Sequence, residues 1–132
     1  IKIVKMKKII INTTNAPSPI GPYSQGVLMN RTLYISGQIA INPSNNKLII
    51  ENIEKEVIQV MSNIKAILNE ANMSFENVVK TSIFLKNIND SLIVNKIYSG
   101  YFKENIEPAR ETIEVSKLPK NVNVEMSMIA VL

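Results

Sequence analysis

The chain has 132 residues, and with 45% hydrophobic residues it is long and apolar enough for one domain around a single core. It has no Cys and no His, which excludes disulfides, Cys- or His-ligated zinc, the Ser-His-Asp triad and every Cys-nucleophile mechanism. One Asp beside ten Glu argues against a magnesium site built from Asp clusters, so catalysis has to run on Glu, Lys, Tyr, Ser, Thr, Arg, backbone groups or water; the net charge of +4 rests on 13 Lys and only two Arg.

Residues 1–8 hold Lys2, Lys5, Lys7 and Lys8 and lack the long apolar stretch of a secretory signal, so a flexible or added N-terminal segment is expected there. The remaining Lys are scattered among Glu and read as a solvated surface, which makes nucleic acid an unexpected partner. Ile9–Asn12 is β-branched and predicts a strand. Asn15–Gly26, with three Pro and two Gly, predicts a loop. Val27–Met29 and Thr32–Ser36 flank Asn30-Arg31 and predict a hairpin with a tight turn. Asn42–Lys47 is a turn cluster.

Over residues 53–71, Ile53, Val57, Val60, Ile64, Ile67, Leu68 and Ala71 recur at spacings of three and four, which predicts a helix with one apolar stripe. Glu54, Lys55, Gln59, Ser62, Asn63 and Asn69 fall away from that stripe. Asn77–Leu85 reads as a strand with Val79, Ile83 and Leu85 on one face and Val78 and Phe84 on the other. Asp90 or Ser91 can cap a second helix, whose apolar residues are Val94, Ile97, Tyr98, Tyr101 and Phe102. After Pro108, Arg110–Val115 alternates as a strand, Leu118–Asn121 is a turn, and Val122–Leu132 is the last strand.

The order β-β-β-α-β-α-β-β predicts an α+β domain, a mixed sheet with two helices packed on one face. In the last strand Val122, Val124, Met126, Met128 and Ala130 share a face by period two, while Ile129 and Val131 make the other face apolar as well. That second face needs cover. A symmetric homo-oligomer is expected to provide it, the alternative being the loop at 13–26. No apolar run reaches about 18 residues, so no membrane span is expected. The lack of Cys fits any compartment; a cytoplasmic setting is expected, with an organelle left open.

Four places can carry chemistry. In Ile20–Gly26, Gly21 permits a positive φ and Pro22 fixes the next one, presenting Tyr23 from a stiff frame; a packing Tyr in a rigid connection is the alternative. In Ser36-Gly37-Gln38, a glycine inside a strand marks either a bulge or a close approach of backbone to a ligand. Arg110 has the planar fork that grips a carboxylate bidentately, unless it is held in an ion pair, for instance with Glu125. Glu125 lies in an otherwise apolar strand. It either faces solvent or is held at a seam, where desolvation would raise its pKa and suit it to acid/base work.

The segments APSPIGPYSQG, LYISGQI, KTSIFLKNINDSLIVNKIYSGYF and PARETIEVSKLPKNVNVEMSMIAV resemble, in collinear order over about residues 9–132, the RidA (YjgF) family. The resemblance implies a chorismate-mutase-like α+β fold and a homotrimer with clefts between subunits. It also implies cofactor-free, metal-free hydrolysis of reactive 2-imino and 2-enamino acids, such as 2-iminobutanoate and 2-iminopropanoate, to 2-keto acids and ammonia. On that resemblance Arg110 holds the substrate carboxylate and Glu125 positions or activates the attacking water. Tyr23, Ser36 and Gly37 line the cleft, Asn95 lies near it, and the backbone of Thr112 contacts ligand. Glu107 stands where an aromatic is common, and the segment before Pro108 is shorter than in some relatives, which bears on side-chain preference. Two other functions are weighed. A ribonuclease-like translation inhibitor is disfavoured by the absence of His and by only seven aromatic residues. A non-catalytic small-ligand or chaperone-like trimer is disfavoured by the presence of both Arg110 and Glu125.

Overall fold

Six strands form one sheet in the order β1-β2-β3-β8-β6-β7, and a two-stranded ribbon, β4-β5, stands beside it in the computed structural model, which describes residues 1–132. The strands are β1 (Lys8–Ile11), β2 (Gly26–Met29), β3 (Thr32–Gln38), β4 (Ile41–Asn42), β5 (Lys47–Leu48), β6 (Val78–Leu85), β7 (Ala109–Glu114) and β8 (Val124–Val131). All neighbours in the large sheet are antiparallel except β6 and β7, which are parallel and joined through a helix. The helices are α1 (Ile53–Glu70) and α2 (Ser91–Ser99). This is the expected α+β architecture.

The β2-β3 turn is tight because Asn30 adopts a φ of 55°, a conformation Asn tolerates better than most residues. Helix α1 begins where Asn52 Oδ1 accepts the backbone N–H of Lys55 at 2.8 Å, and it ends before Asn72, whose φ is 57°. Its apolar stripe packs on Leu33, Ile83, Met126 and Met128 of the sheet, all buried. A smaller cluster of Ile39, Ile41, Leu118 and Val122 closes the end of the molecule that carries the β4-β5 ribbon.

Three sequence expectations need correction. Asn63 does not fall away from the α1 stripe; it is fully buried, because its amide serves two main-chain carbonyls. Neither Asp90 nor Ser91 caps α2 with its side chain. The turn Ile88–Asp90 already winds the backbone helically, and Asn87 caps that turn instead. In β6 the register slips between Val78 and Lys80, so the extra residue Val79 is thrown outward. Val78 therefore joins Thr81, Ile83 and Leu85 on the buried face, leaving Lys80, Ser82 and Phe84 on the other.

Both helices cover the same side of the sheet. On the opposite side the loop reaches only one end of β3 and β8, where it borders a cleft. The middle of that face stays open, with Tyr34 51% and Ile113 45% exposed and Phe84 and Ile129 half-buried between them.

Candidate active site

The open-face end of β3 and β8 forms a shallow cleft, open to solvent, between the loop and the Pro119 turn. Ile20, Tyr23, Gly37, Pro119 and Glu125 border it, and Ser36 lines its adjoining outer part. Four sequence-predicted residues (Tyr23, Ser36, Gly37 and Glu125) are thus brought together.

Of the two readings offered for Gly37, the structure bears out the bulge. The β3-β8 register slips between Ile35 and Gln38, so a bulge is present. A Cβ at residue 37 would also lie 2.9 Å from Glu125 Cδ, so the carboxylate rests directly on the glycine's backbone. No Cβ-bearing residue fits there without displacing Glu125. The carboxylate is half-buried and has no ion-pair partner; the ion pairs of the chain are Lys55–Glu51, Lys80–Glu111 and Lys103–Glu76. Burial alone raises its pKa above the ordinary carboxylate value.

Tyr23 is held differently from the expectation. No glycine of the chain has a positive φ, Gly21 included. The frame comes instead from Tyr23 N–H donating to Gly21 O at 2.9 Å and Ile20 N–H donating to the Tyr23 hydroxyl at 3.2 Å. A Cβ at residue 21 would meet the Tyr23 ring at 3.4 Å, an ordinary contact, so neither φ nor space demands glycine there. The Ser36 hydroxyl donates to the Ser24 carbonyl, so its proton already holds the loop and only its lone pairs face the cleft.

Three buried polar residues that the sequence did not mark as site residues fix the cleft walls. The Gln25 carboxamide accepts from Thr13 N–H at 2.7 Å and donates to the carbonyls of Thr13, Ala16 and Pro17. Asn63 donates to Ile39 O and Ile41 O at 3.1 and 2.9 Å. Glu56, fully buried on α1, accepts from the backbone N–H groups of Asn123 and Val124 and from Asn123 Nδ2, at 2.8, 2.9 and 2.8 Å. The first residue after that clamp is Glu125. A signal existed: Glu56, Val60, Asn63 and Ile67 follow helical spacing, which puts both polar residues on the buried side of α1.

Arg110, Asn95 and Thr112 lie elsewhere in the chain. Arg110 pairs in register with Thr81 on the helix-covered side of edge strand β7, whereas Glu125 pairs with Phe84 on the open side. The two are separated by β6, about 10 Å of sheet, and face opposite ways. The alternative of an Arg110–Glu125 ion pair is therefore excluded within one chain. The Arg110 guanidinium has no acidic partner and stands 5.0 Å from the centre of the Tyr98 ring. Asn95 on α2 and Thr112 on β7 each hold a buried side-chain oxygen, Oδ1 and Oγ1, with no hydrogen-bond partner. No group of three or more acidic side chains is arranged to hold a metal ion.

The sheet order and the two helices recur in a solved protein of the conserved Rid family, YyfA from Yersinia pestis. The TM-score is 0.92 at 52% identity, over 96% of this chain and all of that one. The family model described as Endoribonuclease L-PSP matches residues 13–132. The chain belongs to this family, also known as RidA or YjgF. Among its relatives, 2-iminobutanoate/2-iminopropanoate deaminase of Homo sapiens is 46% identical over 92% of this chain and 88% of its own. The crystal structure of E. coli TdcF with bound serine matches with a TM-score of 0.88 at 33% identity, over 94% of this chain and 98% of that one. No helix is long and apolar enough to cross a membrane.

Proposed function

We propose that this protein hydrolyses small reactive 2-imino and 2-enamino acids, such as 2-iminobutanoate and 2-iminopropanoate, to 2-keto acids and ammonia, in clefts completed between the subunits of a homotrimer. One observation carries the reading: a guanidinium and a carboxylate, both able to pair, are each left without a partner and point to opposite sides of one sheet. They can meet only across two chains, and a small acid between them would satisfy both. The deaminase activity named for the human relative and the serine bound by TdcF support a small, carboxylate-bearing ligand.

In this reading Arg110 of one subunit grips the substrate carboxylate in a bidentate fork. The unpartnered oxygens of Asn95 and Thr112 lie on that side of the cleft and accept donors of the ligand or its water. Glu125 of the neighbouring subunit takes a proton from water as its oxygen bonds to the imine carbon. The carboxyl returns that proton to nitrogen, giving the carbinolamine. The carboxylate then takes the hydroxyl proton as the C=O forms and passes it to nitrogen as the C–N bond breaks, so ammonia leaves with both protons of the water and the keto acid keeps its oxygen. The raised pKa of Glu125 suits both halves of that transfer, since the best acid/base works near the ambient pH. Tyr23, Ser36 and Gly37 wall the cleft on the glutamate's side. The imine is already electrophilic, so positioning and one proton relay suffice without a cofactor.

The test couples a threonine dehydratase to this protein and follows 2-ketobutanoate release in the presence of a scavenging amine. Release faster than in buffer is expected; an unchanged rate overturns the proposal. Arg110→Ala should abolish the acceleration with the assembly intact. Glu125→Gln should lower kcat by about 10²–10⁴-fold while leaving keto-acid binding nearly unchanged.

A further inference from the structure

The two arginines of the chain are held in contrasting ways. Arg31 donates from Nε and Nη2 to the Leu132 carbonyl at 2.9 and 2.6 Å, so its fork is occupied. Arg110 has neither a carbonyl nor an acid beneath it, only the face of Tyr98. That ring is itself immobilised. Tyr98 is 5% exposed, its hydroxyl donates to Thr81 Oγ1 at 3.0 Å, and Phe102 packs against it at 4.7 Å between ring centres. Thr81 is the β6 residue paired with Arg110 on β7. The ring therefore bridges the same sheet row that carries the guanidinium, anchored at its far end by the hydroxyl.

An arginine that must receive an anionic ligand needs orientation without neutralisation. A carboxylate buttress would orient the fork but would also cancel its charge and compete with the ligand. An aromatic face attracts the cation through its quadrupole and leaves every N–H free. We propose that Tyr98 is a positioning residue: its buried, tethered ring holds the Arg110 guanidinium in place for a carboxylate ligand without consuming the fork. This rests on the reading that Arg110 binds the carboxylate.

The test separates the ring's electrons from its shape. The reference is Tyr98→Phe; the test proteins carry 3,5-difluoro- or pentafluorophenylalanine at position 98, rings of nearly the same size with a progressively depleted π face. All lack the hydroxyl alike, so the lost bond to Thr81 cancels in the comparison. The probe is 2-ketobutanoate, measured by calorimetry, with KM and kcat taken in the coupled assay. Affinity is expected to fall stepwise with fluorination, by about three- to fivefold for the pentafluoro ring. KM should rise in step while kcat changes less than about twofold, a split that a loss of packing would not produce. The difluoro protein keeps the test decisive if the pentafluoro one does not fold. Arg110→Ala is the control. If it loses the keto acid but all rings bind equally, the role of Tyr98 is overturned and the carboxylate clamp stands. If Arg110→Ala binds as tightly as the unaltered protein, the clamp itself is overturned, and the inference with it.

Discussion

Glu125 is the residue whose behaviour is most sharply constrained. Its pKa is raised by burial, so two pH dependences of known sign follow. As a base it must be ionised, and kcat/KM should climb with pH on an acid limb centred above the ordinary carboxylate value. Glu125→Gln should erase that limb; a limb that survives belongs to another group. For stability, the unfolded chain releases this proton at lower pH than the folded one. The carboxyl's contribution is therefore complete below the ordinary value and is lost as pH rises through the raised one. Urea titrations should show Glu125→Gln gaining on the parent across that window. Gly37→Ala tests the contact beneath the carboxylate: the new Cβ must push Glu125 aside, and kcat is expected to fall by about tenfold or more with the unfolding midpoint little changed. Much of this was visible in the sequence, since a lone Glu in an apolar strand and a glycine inside another are both anomalies. That one lies on the other was not, because it depends on the β3-β8 register and its bulge.

At the scale of elements, α1 does two jobs with one face. Its aliphatic side chains pack on the sheet, and Glu56 and Asn63 reach past them to fix the segments that border the cleft. Glu56→Ala would strand two buried backbone N–H groups and the Asn123 amide, a destabilisation of about 3 kcal/mol or more by urea unfolding. Glu56→Gln keeps one acceptor and should cost less. A stripe counted from apolar residues alone found the helix to within a residue but put Asn63 outside, because its partners, Ile39 and Ile41, are more than twenty residues away in sequence. The β6 bulge was hidden for a related reason. Alternation assigns faces only while the pairing is unbroken, and one extra residue reverses Val78 and Val79. The turns and α1 depend on neighbours in sequence and were read almost as they stand, whereas α2 begins from a helical turn capped by Asn87 and ends at Ser99, short of Tyr101 and Phe102.

At the scale of the molecule, the uncovered sheet face and the split of Arg110 from Glu125 ask for the same remedy, other copies of the chain. Sedimentation velocity is expected to give a trimer. Tyr34→Lys, set in the middle of the open face, should yield monomers of unchanged circular dichroism and no deaminase activity. Shared clefts make a sharper forecast. Arg110→Ala and Glu125→Gln chains, each inactive alone, should regain activity when unfolded and refolded together, since about a quarter of the mixed clefts then hold both native groups. No recovery would mean that each cleft draws both groups from one chain.

The sheet order has one more consequence. Strand β8 comes last in chain order yet lies between β3 and β6, so on the ribosome these two wait with bare edges until almost the whole domain has emerged. The nascent protein is then at its stickiest just before β8 emerges. Slower translation would prolong that exposure rather than relieve it, and a chaperone that shields strand edges should raise the yield more than one that speeds proline isomerisation.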